Sequence, residues 1–206
     1  MSIANFAELQ AAISNYLARD DLSPYLGDFI SLAEARINRD LRIRPMETSA
    51  TLATVAGTST IALPTRYVQM RLLTLEANPA HVLTYLTPED LRRRYRSSAS
   101  GKPVVFTLEG DVIRLAPTPD GIYAIGCLHY AAFAPLSLGV NWLIQNAPDV
   151  YLYGSLCEAM PFVGNDRRLA VWQALYTQAV ERLTAADQRD RHSGAVLTVQ
   201  SDTGAP

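Results

Sequence analysis

The residue types that most readily support metal binding or nucleophilic catalysis are two cysteines and three histidines. Cys127 and Cys157 are far apart, and each of the three histidines, His81, His129 and His192, has at most one candidate ligand nearby in the sequence. A metal site needs several such ligands at short spacings or gathered by the fold. We therefore expect two buried thiols, and strand positions with ordinary hydrogen bonds for His81 and His129. No cofactor is predicted, and only the tertiary structure can show whether distant ligands cluster.

Glu158 is the most unusual carboxylate of the chain, because it lies in an otherwise apolar segment. The segment from Val150 to Met160 is apolar on nearly all sides of a predicted helix. One interpretation makes Glu158 the general acid of a cell-wall glycosidase, but no second carboxylate that would complete the pair is identifiable. The favoured interpretation is an ion pair, buried or at an interface, with an arginine on a neighbouring helix or on another subunit.

Other catalytic patterns are missing from the sequence. There is no Gly-x-Ser-x-Gly element that would expose a serine nucleophile. The eleven glycines are scattered, and none gathers with others in a loop that could surround a phosphate. The sequence therefore predicts a protein that is not an enzyme.

A short arginine-rich segment forms the strongest basic patch. Arg92, Arg93, Arg94 and Arg96 lie in or beside a short helix that Thr87 is predicted to cap. Such a patch can contact DNA phosphates, but more often it is a solvated helix face or forms ion pairs between subunits. The net charge of −2 argues against general nucleic-acid binding. The patch is thus a candidate inter-subunit surface or lining of a DNA channel.

The composition favours a protein that associates with partners. Of the 206 residues, 49% are apolar and only 18% are charged, and ten are tyrosines. A low charged fraction leaves less surface suited to water, and tyrosine is enriched in the cores of interfaces. No apolar run reaches the roughly 20 residues that span a bilayer, and the N-terminus does not resemble a secretion signal. We expect no membrane association and folding in the cytoplasm.

The candidate residues must be positioned by helices at both ends of the chain. Asn5 is predicted to cap the first helix, and Ser23, followed by proline, the second. Asn146 is predicted to cap the apolar third helix, and a fourth runs over residues 166–189. Short connections allow these four helices to pack together.

Between these helices the sequence is rich in threonine and β-branched residues, which is typical of strands. Strands are predicted at Thr48–Val55, Thr60–Leu63, Val68–Leu75, Val104–Leu108, Val112–Leu115 and Ile122–Phe133. Because these strands are consecutive and closely spaced, they favour an antiparallel sheet or small sandwich.

The predicted fold class is α+β. Residues 1–45 and 141–191 form a four-helix bundle of two N-terminal and two C-terminal helices, and residues 46–140 form an antiparallel β-rich insert. Residues 192–206 form an extended, flexible C-terminal arm.

The arm contains one apolar patch with high β propensity: Gly194, Ala195, Val196, Leu197, Thr198 and Val199. One interpretation is a disordered end. The other is a peptide that docks on a partner, either as an added strand or in a groove.

The layout resembles the head-to-tail adaptor proteins of tailed bacteriophages, in particular the tail tubular protein A family of short-tailed phages. The matching features include the second helix ending in ARINRDLR at residues 35–42, and the segment IALPTRY at residues 61–67. Two further features match that family in the same order along the chain. They are the hairpin at residues 109–111 and the closing helix, which is followed by Ser193 and an apolar tail. Together they cover nearly the whole chain.

The resemblance implies a structural protein of the virion, located at the head–tail junction and assembled in the host cytoplasm. It implies a ring, of twelve copies, between the portal vertex and the tail. Its partners would be other copies of itself, the portal protein, tail nozzle proteins and the double-stranded DNA passing through the channel. Residues 194–199 would dock on the portal. There are two alternatives to the adaptor function: another tail-completion or capsid interaction module, and a virion protein that hydrolyses peptidoglycan.

Overall fold

A computed structural model describes residues 3–19, 21–77, 79–95, 99–164 and 168–192. The described chain contains both helices and β-sheets, so the α+β class predicted from the sequence is confirmed. It divides into two compact units, with boundaries between Ile43 and Arg44 and between Trp142 and Leu143. The unit formed by the two ends of the chain is helical, and the unit in the middle carries the sheets.

Six α-helices occur in the described residues: α1 (Phe6–Leu17), α2 (Leu26–Asp40), α3 (Pro88–Arg94), α4 (Trp142–Asn146), α5 (Pro148–Val163) and α6 (Leu169–His192). The strands are β1 (Glu47–Ala53), β2 (Thr60–Ala62), β3 (Tyr67–Leu75), β4 (His81–Val82), β5 (Thr84–Tyr85), β6 (Val105–Glu109), β7 (Val112–Ala116) and β8 (Ala124–Ala131).

Helices α1 and α2 begin close to the positions that their capping residues predict. The Asn5 side chain accepts a hydrogen bond from the Glu8 N–H, and the Glu8 carboxylate accepts one from the Ala4 N–H. The first bond satisfies a backbone donor that the first helical turn leaves without a partner, and the second ties the residue before the cap to the helix. The predicted cap of α2 at Ser23 is wrong, because Ser23–Tyr25 forms a separate 3-10 turn. Helix α2 begins at Leu26, not at the predicted proline, and has no side-chain capping bond.

Helix α5 is the central element of the helical unit. Nine of its residues are buried, and it contacts α1, α2 and α6. The predicted cap at Asn146 is wrong: Asn146 ends the short helix α4, and Ala147 precedes α5 without a side-chain capping bond. The sequence pattern missed α4 because its five residues span little more than one turn, which is too short to show a helical period.

Two four-stranded sheets form the β unit. Their strand orders are β1-β8-β3-β4 and β2-β7-β6-β5. One cluster of buried side chains combines residues of both sheets, including Leu73 and Ile125 from the first and Phe106 and Ile113 from the second. The two sheets therefore share a hydrophobic core.

The strand pairing is not wholly antiparallel, because β5 pairs with β6 in parallel. Strands β4 and β5 give no signal in the sequence, since two residues cannot show the alternation that predicts a strand. Strand β8 is shorter than predicted and spans Ala124–Ala131. Just before it, the Thr54 hydroxyl donates to the Gly121 carbonyl and accepts from the Tyr123 N–H, at 2.8 and 2.7 Å.

Replacing Thr107 by valine is expected to raise the free energy of unfolding by about 1 kcal/mol. The Thr107 side chain is fully buried in β6, and its hydroxyl has no hydrogen-bond partner in the described part of the chain. Valine keeps the branched shape and removes the cost of desolvating an unpaired hydroxyl. Urea denaturation of the two proteins measures the change. The matched control is Thr54→Val, which removes a buried hydroxyl that makes two hydrogen bonds and should destabilise the fold. A Thr107→Val protein less stable than the unmodified chain would contradict the prediction.

Candidate functional site

One cysteine and one histidine lie on the same face of β8, because they are two residues apart in that strand. The Cys127 Sγ lies 3.7 Å from Nδ1 of His129 and 3.6 Å from Sδ of Met70, in the core of the β unit. The His129 ring is buried and stacks on Tyr67 at a centroid distance of 5.9 Å. Burial raises the pKa of the Cys127 thiol to about 11, so the thiol stays protonated at neutral pH and is a poor nucleophile.

The other cysteine and histidines do not join this cluster. Cys157 is buried in α5, and burial is the main cause that raises its thiol pKa. His81 is exposed on β4, and the His192 side chain lies outside the described residues. Within the described ranges, no group of three or more histidine, cysteine, aspartate or glutamate side chains is placed to hold a metal ion.

Glu158 lies opposite an arginine of a neighbouring helix. Its Oε1 is 3.3 Å from Nη1 of Arg36 in α2, and the two side chains are 27% and 30% exposed. The Arg36 Nε is 3.8 Å from Oδ2 of Asp40, one turn further along α2. The carboxylate of Glu158 is therefore engaged in an ion pair.

Tyr176 connects the same arginine to the last helix. Its ring lies 4.5 Å from the Arg36 guanidinium, in a cation–π contact. Its hydroxyl donates a hydrogen bond of 2.8 Å to Asp40. Burial, followed by this hydrogen bond, holds the Tyr176 pKa well above its usual value, so the phenol remains a neutral donor. Arg36, Asp40, Glu158 and Tyr176 form what we call the Arg36 network, which connects α2, α5 and α6.

Gly154 allows the three helices to approach each other beside the Arg36 network. A Cβ at this position would lie 3.3 Å from the Tyr176 ring and 3.4 Å from the Ala33 Cβ. Gly154 was not among the residues predicted from the sequence to have a special role. The sequence signal that could have indicated Gly154 is its position four residues before Glu158, which places both residues on the same face of the apolar helix.

The arginines of the arginine-rich segment differ in their surroundings. Arg92 pairs with Glu109 at 3.3 Å, whereas Arg93 pairs with Asp90 of its own helix. Arg94 is exposed. Arg96 and the predicted docking residues 194–199 lie outside the described residues.

Arg114, which was not among the residues predicted from the sequence, shares the carboxylate of Glu109 with Arg92. Arg114 of β7 donates to Oε2 of Glu109 at 2.8 Å and to the Ser59 hydroxyl at 2.9 Å. Hydrogen bonding to Arg114, more than any other contact, lowers the pKa of the Glu109 carboxyl. Arg92 and Arg114 both line a pocket of about 470 Å³ in the β unit. Pairing of β6 with β7 placed Arg114 here, and sequence spacing gave no sign of it.

None of the helices in the described ranges combines the length and apolar character needed to cross a membrane.

Comparison with known proteins identifies the class of the chain. No curated protein sequence matches the chain. The profile of the SU10 adaptor protein family matches residues 4–200, and this supports the phage adaptor class that the sequence order indicated. The match spans nearly the whole chain, which therefore belongs to the SU10 adaptor protein family.

Proposed function

We propose that this protein is a head-to-tail adaptor of a tailed phage. In this proposal, twelve copies form a ring between the portal and the tail, and the genome passes through the ring. The observation that carries the proposal is the family match over residues 4–200, since it covers both structural units and is not confined to one motif. Adaptors are structural proteins of the virion, and their work is done by surfaces that bind other proteins.

Exposed apolar side chains in both units support an assembly function. In the β unit, Ile122 is 80% and Leu138 is 82% exposed. In the helical unit, Leu32, Phe162 and Val171 are each more than half exposed. Such side chains indicate a contact surface where they lie together in one apolar patch. We propose that some of them are covered in the ring or by the portal.

Two narrower proposals accompany the adaptor function. We infer that the protein is similar to the tail tubular protein A group, because the order of its helices, strands and closing helix follows that group. We also infer that α1, α2, α5 and α6 form a four-helix bundle, in agreement with the contacts of α5 with the other three helices.

Mixing the purified chain with its portal protein tests the adaptor function. The expected result in electron microscopy is a ring of this chain on one face of the portal. Particles in which the portal remains bare at micromolar concentrations of both proteins would contradict the proposal. A zymogram on cell walls tests the alternative that the protein is a peptidoglycan hydrolase. A hydrolase would clear the cell-wall substrate, whereas an adaptor would not.

Truncation after His192 is expected to leave the fold intact and to weaken portal binding by about tenfold or more. The removed segment contains Val196 and Leu197, and burial of such side chains contributes roughly 1.5–3 kcal/mol each when a partner covers them. Circular dichroism and urea denaturation report the fold, and a portal-binding titration reports the affinity. Leu197→Asp in the full chain is the matched variant, since it retains the length of the arm. Loss of folding on truncation, or unchanged affinity, would contradict the prediction.

A further inference from the structure

The pocket beside the arginine-rich helix combines two guanidinium groups with an apolar wall. Its volume is about 470 Å³. Arg92 of α3 and Arg114 of β7 provide the charge, and Leu91, Leu115 and Pro117 provide apolar lining. Both leucines are buried in the fold, so this wall is held by the core of the β unit.

The charges at this pocket are not balanced. Glu109 is shared by both arginines, with Oε1 at 3.3 Å from Arg92 and Oε2 at 2.8 Å from Arg114. One negative charge therefore faces two positive charges, and no acidic residue lines the pocket itself within the described chain. The Nη2 of Arg114 and the Nε and Nη1 of Arg92 donate to no other described residue. These donors can bind one further anionic group.

The form of the pocket favours an acidic side chain over a nucleic-acid backbone. A recess of this size takes one or two side chains, and its apolar wall suits the methylene groups of glutamate or an apolar neighbour. Duplex DNA instead requires basic residues spread along successive phosphates. The next arginine of the helix, Arg93, is already paired with Asp90, and the net charge of the chain is −2.

We propose that this pocket receives the carboxylate of an acidic side chain from a partner protein. The incoming carboxylate accepts hydrogen bonds from Arg92 and Arg114, while Glu109 keeps the two guanidinium groups in place. That the partner is another protein of the virion rests on the adaptor function proposed above. Binding of a carboxylate peptide to the pocket does not depend on it.

A titration of the full chain with the peptide acetyl-Leu-Glu-Leu-amide tests the proposal. Nuclear magnetic resonance of the arginine side chains should show saturable shifts of the Arg92 and Arg114 Nε–H signals. The same peptide with glutamine in place of glutamate should produce no saturable shift. The Arg92→Gln variant should bind the glutamate peptide about tenfold more weakly, because one charge-assisted hydrogen-bonding group is lost.

Arg93→Gln is the matched control, since it removes the same charge from the same helix at a position paired with Asp90. It should bind the glutamate peptide like the unmodified chain. Equal binding of the glutamine peptide, or equal losses in the two variants, would overturn the proposal. Tighter binding of inorganic phosphate than of the glutamate peptide would also overturn it and assign the pocket to a phosphate. A chain that binds the peptide but leaves the portal bare would refute the adaptor function alone.

Discussion

Replacing Gly154 by leucine is expected to lower the free energy of unfolding by about 3 kcal/mol. A Cβ at Gly154 already lies 3.3 Å from the Tyr176 ring and 3.4 Å from the Ala33 Cβ, and leucine adds three more carbon atoms beyond that Cβ. Both contacts belong to packed helices, so neither neighbour can retreat without moving a helix or the Arg36 network. Overpacking of a core of this kind typically costs 1–3 kcal/mol.

Urea denaturation followed by circular dichroism measures the Gly154→Leu effect. Gly27→Leu in α2 is the control, since a Cβ there meets only the Phe6 ring, at an ordinary contact distance of 3.9 Å. The Gly27 variant should lose markedly less stability. Equal losses at both glycines would show that helical glycine itself, and not the close approach at Gly154, determines the effect. If Gly154→Leu does not fold, Gly154→Ala offers a smaller test, because it adds only the Cβ atom.

Replacing Arg36 by methionine is expected to destabilise the helical unit by about 2 kcal/mol. Methionine keeps most of the apolar stem, but it leaves Glu158 and Asp40 half-buried without the guanidinium that lies 3.3 and 3.8 Å from them. It also removes the cation–π contact with Tyr176. Breaking a fully buried ion pair costs about 3–5 kcal/mol, and the partial exposure of these side chains reduces that figure.

The exposed pair formed by Arg19 and Asp21 provides the control for Arg36. Its side chains are 40% and 60% exposed and the pair is screened by water, so Arg19→Met should leave the free energy of unfolding nearly unchanged. A double-mutant cycle with Glu158→Gln isolates the interaction of Arg36 with Glu158. Additive effects in that cycle, or equal costs at Arg36 and Arg19, would show that the Arg36 network contributes little beyond an ordinary surface pair.

Local sequence signals predicted the elements that are long or well capped. Asn5 and Thr87 accept the hydrogen bonds that a capping residue should accept, because such bonds depend only on residues three positions away. The long strand β3 was predicted from its β-branched and apolar residues, within one residue of its observed start. The pattern failed for β4, β5 and α4, since elements of two to five residues do not repeat often enough to show a period.

The candidate sites were predicted less completely than the elements. Glu158 was predicted to form an ion pair because a charged residue in an apolar helix needs a partner. The sequence did not indicate that this partner is Arg36, which is 122 positions away. Arg92 was identified from the run of arginines, whereas Arg114 was overlooked as one charged residue in a strand. The two meet at Glu109 only because β6 and β7 pair as a hairpin and α3 packs on β6.

The sequence by itself determined the α+β class, most helix and strand positions, and the likeness to phage adaptors, because periodicity, capping and the order of segments are local or linear properties. The tertiary structure alone decided which distant side chains meet: Arg36 with Glu158 and Tyr176, Cys127 with Met70, and Arg92 with Arg114 around one glutamate. These contacts depend on strand register and helix packing. Register and packing are fixed by the fit of many buried side chains at once, and no single segment encodes that fit.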